Sequence, residues 1–263
     1  MAQDLVKFSV EAGLARVELN RPDSGNGITE EMADQFLDAA SRCETDGGVR
    51  AVLLTGAGKN FCVGGDLKVF REAGSDVGRM LKKTTALLHA ACAQFARMDA
   101  PVVAAIQGVA AGGGLSLALL GDLVYGGESA KFTMAYTAAG LSPDGGSTFL
   151  LPRLIGLRRA QELTLTNRRL TAEEAKAWGL ITSVLPDDTL FETAEKQARA
   201  LAQGPTRAFG RAKRLLLESF ETPFETQMER EGTGIATSAG EPDAQEGMAA
   251  FAEKRAPTFT GHL

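Results

Sequence analysis

Residues 102–120 read VVAAIQGVAAGGGLSLALL. The first five, 102–106, are β-branched or small and apolar, the composition of a buried strand. Gly108-Val109-Ala110-Ala111-Gly112-Gly113-Gly114 follows, and residues 115–120 are expected as an apolar helix. A strand that passes through glycines into a helix aims backbone N–H groups at an anion from the helix start. A second run, Asn60-Phe61-Cys62-Val63-Gly64-Gly65-Asp66-Leu67, follows an expected strand at 51–55 and the turn Thr55-Gly56-Ala57-Gly58. Successive glycines let the main chain approach a ligand closely. Neither run leads into Gly-Lys-Ser/Thr, and neither is a G-x-G-x-x-G followed by a helix and a distant acid, so neither is a P-loop or a dinucleotide fingerprint. Either run alone is most simply a tight turn. Two N–H donors converging on one oxygen would instead form an oxyanion hole.

Outward from these loops, runs at 15–19 and 122–125 complete a set of four expected strands. Helical patterns lie between them. Residues 29–43 place Met32, Phe36, Leu37 and Ala40 on one face, and 80–98 do the same with Leu81, Leu87, Leu88, Cys92 and Phe95. Alternating strands and helices predict an α/β architecture. Beyond about residue 150 the pattern turns helical. Thr171-Ala172-Glu173-Glu174 fits a capping box opening a short helix that runs to Trp178 and ends at Gly179. Further helices are expected at 191–201, 205–219 and 223–234, with no linker, repeat or low-complexity stretch dividing the chain.

The chain has 263 residues, enough for a dry core without disulfide or metal staples. Its 28 Lys and Arg against 33 Asp and Glu leave a net charge of -5, a poor match to nucleic acid. The three cysteines, Cys43, Cys62 and Cys92, cannot all pair, which suits a reducing compartment. Two histidines without clustering argue against a metal site. The N-terminal residues show neither the basic region nor the apolar run of a signal peptide, and no apolar stretch reaches the ~20 residues of a membrane span. A cytoplasmic protein is expected.

An ordered set of segments resembles the crotonase, or enoyl-CoA hydratase/isomerase, superfamily over essentially the whole chain. It comprises Asn20-Arg21-Pro22, Phe61-Cys62-Val63-Gly64-Gly65-Asp66, Ala110 to Gly114, Ala130-Lys131-Phe132, Leu151-Pro152-Arg153, Ala175-Lys176-Ala177-Trp178-Gly179-Leu180, and Glu246-Gly247 through Arg255. The resemblance implies a repeated ββα spiral core at 1–200 holding a CoA-thioester site. It implies a C-terminal helical region at 201–263 in the same unit, which serves oligomerisation and the CoA pocket. A homotrimer or a dimer of trimers is expected. The substrate would be an acyl-CoA. No cofactor would be bound permanently, coenzyme A entering as part of the thioester, with no metal, nucleic-acid or membrane partner. The N–H groups of Gly65 and Gly113 would form the oxyanion hole. Substrate contacts would come from Ser24, Gly25, Val63, Asp66, Leu67, Val109, Ala111, Ser116, Ala135, Tyr136 and Lys254.

Hydration of an enoyl thioester in this family uses two carboxylates. Their places here hold Ser116 and Tyr136, neither of which is a useful base near neutral pH. The acid left nearby is Asp144, in Leu141-Ser142-Pro143-Asp144-Gly145-Gly146-Ser147-Thr148. On its own it could be a turn or N-cap aspartate. In several non-hydratase branches the catalytic carboxylate sits at this position. The stretch from Ala135-Tyr136 through Arg153, and the tail Lys254-Arg255-Ala256-Pro257-Thr258-Phe259-Thr260-Gly261, look like the epoxyphenylacetyl-CoA isomerase and Δ3,Δ2-enoyl-CoA isomerase branch. A lone carboxylate suits isomerisation, since it can take a proton from one carbon and return it two carbons away. A second expectation uses His89, twelve residues before Pro101. The 4-chlorobenzoyl-CoA dehalogenases carry a catalytic histidine there and a nucleophilic aspartate matching Asp144, but they also use a tryptophan where this chain has Tyr136. For His89 the plain alternative is a polar residue on an amphipathic helix. A weak hydratase and a non-catalytic acyl-CoA binder complete the alternatives. Cys62, Cys92 and Trp178 are expected to pack rather than react.

Overall fold

A computed structural model describes residues 4–261. The chain opens with an antiparallel hairpin, β1 (Val6–Glu11) and β2 (Leu14–Leu19), turning at Ala12 and Gly13, both at positive φ. Helix α1 (Glu30–Thr45) starts where the Thr29 hydroxyl accepts the N–H of Met32. It crosses to β3 (Ala51–Gly56), which pairs parallel with β2. Next come the short α2 (Leu67–Glu72) and the long α3 (Val77–Arg97). Strand β4 (Val102–Ile106) is buried at all five positions, because helices cover both sheet faces. After it lie β5 (Val109–Ala111), α4 (Gly113–Ala118), β6 (Leu123–Gly127) and β7 (Lys131–Thr133).

The remaining elements are α5 (Ser147–Ile155), α6 (Leu157–Thr166), β8 (Leu170–Thr171), α7 (Ala172–Trp178), β9 (Ser183–Leu185), α8 (Leu190–Ala202), α9 (Thr206–Glu218), α10 (Phe224–Ala239) and α11 (Pro242–Glu253). The main sheet has the order β1-β2-β3-β4-β6-β9 and is parallel after the first hairpin. A small sheet of order β5-β7-β8 stands beside it.

Helices α1 and α3 pack on one face of the main sheet, where the Phe36 and Phe95 rings meet at 5.0 Å between centroids. Helix α8 covers the other face with Leu190, Ala194, Ala198 and Ala202, a stripe at four-residue spacing that beds against Leu53, Val103 and Ala105. The expected strands and helices are all present, with ends shifted by a few residues. The expected capping box at Thr171 and Glu174 forms in both directions, and Gly179 ends α7 at φ 83°. One shift matters. The helix expected at 115–120 begins instead at Gly113, so Gly113 and Gly114 belong to its first turn.

The C-terminal helices join this body through α9. Lys213, nearly buried, donates to the carbonyls of Phe95 and Ala100 and pairs with Asp122 at 2.8 Å. No helix among the described residues is long and apolar enough to cross a membrane.

Candidate active site

The two glycine runs lie side by side. The Cys62 N–H donates to Val109 O at 3.1 Å, and the Ala111 N–H returns to Cys62 O at 3.0 Å. Glycine is required where they touch. Gly64 has φ 97°, and a Cβ there would sit 2.7 Å from Ala111 O and 3.3 Å from Gly113 N. A methyl group on Gly114 would run into the Cys62 carbonyl. The backbone N–H groups of Gly65 and Gly113 donate to no acceptor among the described residues. The Gly113 N–H is one of the unpaired donors that open any helix, here α4. Two such donors on adjoining loops can hold a developing negative charge.

Asp66 holds the first loop in shape. Its carboxylate accepts the Lys68 and Val69 N–H groups at the start of α2, and Arg21 donates to it at 3.1 Å. Val63 and Leu67 are exposed at the rim, and the Gly25 carbonyl accepts the Val63 N–H in the turn that also contains Ser24. Val109 and Ala111 form β5 on the other wall. Behind all of these lies Asn26, fully buried at φ 57°. Its side-chain amide donates to the carbonyls of Ala57, Asn60 and Phe61, and its oxygen accepts the Arg21 N–H. The sequence reading missed Asn26. The available signal was its residue type, since asparagine tolerates positive φ better than other non-glycine residues.

Four side chains from separate elements meet next to α4. Tyr136 Oη donates to Asp144 Oδ1 at 2.6 Å. Ser116, fully buried on α4, has its hydroxyl 2.9 Å from Tyr136 Oη and 3.0 Å from the Asp144 carbonyl. Tyr136 has one proton and gives it to Asp144, so the single Ser116 hydroxyl proton is shared between the Asp144 carbonyl and Tyr136 Oη. The phenol sits well above its ordinary pKa, first because it is buried and second because it faces the Asp144 carboxylate. Tyr136 is aimed by its predecessor. Ala135 is held at φ 52°, an uncommon conformation for a non-glycine residue, and the Tyr136 N–H turns back to Met134 O.

His89 comes from α3. Its Nε2 accepts the Gly145 N–H at 3.1 Å and lies 3.6 Å from Asp144 Oδ2. The lone pair on Nε2 is therefore engaged by the loop that carries Asp144. Oδ2 is the carboxylate oxygen left without a close donor. The structure thus brings Ser116, Ala135, Tyr136, Asp144 and His89 together beside the glycine loops. Lys254 is not joined to them by any hydrogen bond among the described residues; it is exposed at the C-terminal end of α11, in a left-handed conformation.

Burial pushes the thiols of Cys43, Cys62 and Cys92 up to about 12, which removes them as nucleophiles. No group of three metal-type side chains occurs among the described residues.

A family model described as Enoyl-CoA hydratase/isomerase matches residues 9–262. The 1,2-epoxyphenylacetyl-CoA isomerase of Escherichia coli K12 is 39% identical over 262 residues, covering 98% of this chain and 99% of that protein. The 4-chlorobenzoyl coenzyme A dehalogenase-2 of an Arthrobacter species is 35% identical, covering 92% and 88%. The crystal structure of an enoyl-CoA hydratase from Bacillus anthracis superposes with a TM-score of 0.91 at 31% identity, covering 98% of this chain and 100% of that one.

Proposed function

This chain belongs to the enoyl-CoA hydratase/isomerase family and has the crotonase fold, and from that premise we propose that it is an acyl-CoA isomerase using Asp144 as its proton shuttle. The observation that carries this is the environment of Asp144. Its Oδ2 has no close donor, whereas the Asp66 carboxylate in the first glycine loop is spent on Arg21 and the start of α2, and Tyr136 and Ser116 occupy the positions where the resemblance places a hydratase's two acids. With Oδ1 held by Tyr136, Oδ2 is the oxygen free to act.

On a 3-enoyl thioester, Asp144 Oδ2 takes a proton from C2. The C–H electron pair moves into the thioester and places negative charge on its oxygen, where the Gly65 and Gly113 N–H groups receive it. The carboxylic acid exchanges its proton with solvent while the dienolate is held, and then protonates C4. The dienolate electrons move with it, leaving a conjugated 2-enoyl thioester and a regenerated carboxylate. Removing one oxyanion donor typically costs about 10²–10³ in rate. Ser24, Gly25, Val63, Asp66, Leu67, Val109 and Ala111 would contact the thioester and coenzyme A, and Lys254 would add a cation to that surface. The enzyme would work in the cytoplasm as a homotrimer or a dimer of trimers, with no resident cofactor.

The test is proton exchange. Incubation with a 3-enoyl-CoA in D2O should give a 2-enoyl-CoA carrying deuterium at the exchanging carbons, followed by NMR and mass spectrometry. Asp144→Asn should abolish both conversion and exchange while thioester binding survives. Full activity in that variant overturns the assignment.

One observation favours a second activity, aryl-CoA dehalogenation with Asp144 as nucleophile and His89 as base: the 3.6 Å between Nε2 and Oδ2. The bond from Gly145 to that same nitrogen opposes it, because a base needs a free lone pair. His89→Gln keeps a hydrogen-bond acceptor. It should retain isomerase turnover within about tenfold, whereas a dehalogenase would lose hydrolysis of an arylated Asp144 by about 10²-fold or more.

A further inference from the structure

Beyond His89 the site opens into a groove of about 620 Å³ that the proton shuttle does not use. One wall is α3. His89, Cys92, Ala93 and Ala96 repeat at three- and four-residue spacing and face it as a stripe. The opposite wall is the start of α5, with Gly146 and Phe149, and the end of α9 closes the far side with Leu217. From His89 to Ala96 the helix advances about 10 Å. The stripe narrows to alanine where a larger side chain would fill the space. The apolar stretch then ends at charge: Arg230 donates to Glu218 at 2.8 Å and to Thr222 at 3.0 Å, across the outer end of the groove.

The outer wall is tied to the catalytic loop's own helix. The Arg153 guanidinium on α5 lies 3.4 Å from the centroid of the Phe149 ring and 5.4 Å from that of Phe220, and it pairs with Glu221 at 2.9 Å. The end of α9 is thereby held against the helix that follows Asp144.

We propose that this groove is the acyl channel, that it selects medium-length apolar acyl groups over short ones, and that Ala93 and Ala96 set the permitted length. This rests on the acyl-CoA assignment above. The occupant follows from continuity: the groove begins at His89 and Gly145, both in contact with Asp144, so the part of the acyl group beyond the reacting carbons leaves the site in this direction. It follows also from lining, since an apolar chain is matched by alanine, phenylalanine and leucine as far as the charged end made by Arg97, Glu221 and the Glu218–Arg230 pair, where further methylenes would meet charge.

Binding of saturated acyl-CoAs tests the channel without requiring any turnover. By titration calorimetry, dodecanoyl-CoA should bind the wild-type protein about tenfold or more tighter than butyryl-CoA, from the extra apolar surface buried. Ala93→Phe, at an exposed position, and Ala96→Leu, a smaller change, should each cut that ratio to about threefold or less. A thermal melt of each variant establishes that it is folded. Equal affinities in the wild type overturn the proposal, and so does a ratio that survives both substitutions. Absence of deuterium exchange with 3-enoyl-CoAs would sink the isomerase assignment but leave this binding result standing, so the two failures are distinguishable.

Discussion

Asn26 shows how much of the candidate site depends on a residue fully buried behind it. Its side chain bridges the turn after β2 to three carbonyls of the loop that presents Gly64 and Gly65. The Phe61 carbonyl is buried and those of Ala57 and Asn60 are part-buried, and removing the amide takes a donor from all three. Asn26→Ala should therefore cost about 3 kcal/mol or more of stability, measured by urea unfolding. A loss of under about 1 kcal/mol would show that water replaces the amide freely. Tyr136 is a different case. Its hydroxyl is spent on Asp144, and its high pKa keeps it protonated, so it holds the carboxylate and does not serve as a base.

At the scale of elements, the groups proposed to act sit where elements begin and end. Gly113 opens α4, Asp66 caps α2, and Asp144 precedes the first turn of α5. Helix starts present backbone donors that need partners: the Gly113 N–H is left open for a ligand, those of Lys68 and Val69 are taken by Asp66, and that of Gly145 is taken by His89. A second junction, between α10 and α11, is held by Glu241. It accepts from Arg207 at 2.9 Å and from Arg211 at 2.7 Å. The Arg211 guanidinium, helped by Arg207, holds the Glu241 carboxyl down to about 2, against 4.5 for a free side chain. A pKa depressed in the folded state adds stability that is fully present above the free value and is lost as pH falls through the folded one. The difference in unfolding free energy between wild type and Glu241→Gln should thus shrink between about pH 4.5 and pH 2. A difference that stays constant across that range would show that the ion pair contributes nothing.

The whole molecule leaves apolar surface uncovered at one end. Helix α10 has no buried residue, and Phe224, Ile235 and, on α11, Phe251 are 70%, 73% and 88% exposed. Side chains of this size gathered on neighbouring helices mark an interaction surface. Under the proposed trimeric assembly they are covered by neighbouring copies. Sedimentation should then give three or six times the 27.7 kDa chain mass, and Phe224→Glu with Phe251→Glu should shift the protein toward monomer. A wild-type monomer at micromolar concentration would count against that assembly.

The sequence by itself determined the α/β class, the order of the elements and the two glycine runs, because these follow from local periodicity and from steric rules that act within a few residues. It also showed that Ser116 and Tyr136 stand where two acids were expected, and it singled out Asp144. Only the tertiary structure decided what these residues do to one another. Ser116, Tyr136 and Asp144 lie in three separate segments, and no spacing rule could show that Tyr136 donates to Oδ1 and leaves Oδ2 open. His89 could equally have been a surface residue on α3. Its bond to Gly145 exists because α3 packs beside the start of α5. Asn26 and the Ala93–Ala96 stripe escaped notice for the same reason. Their partners are distant in the chain, and burial and contact are properties of the packed molecule that a linear pattern does not carry.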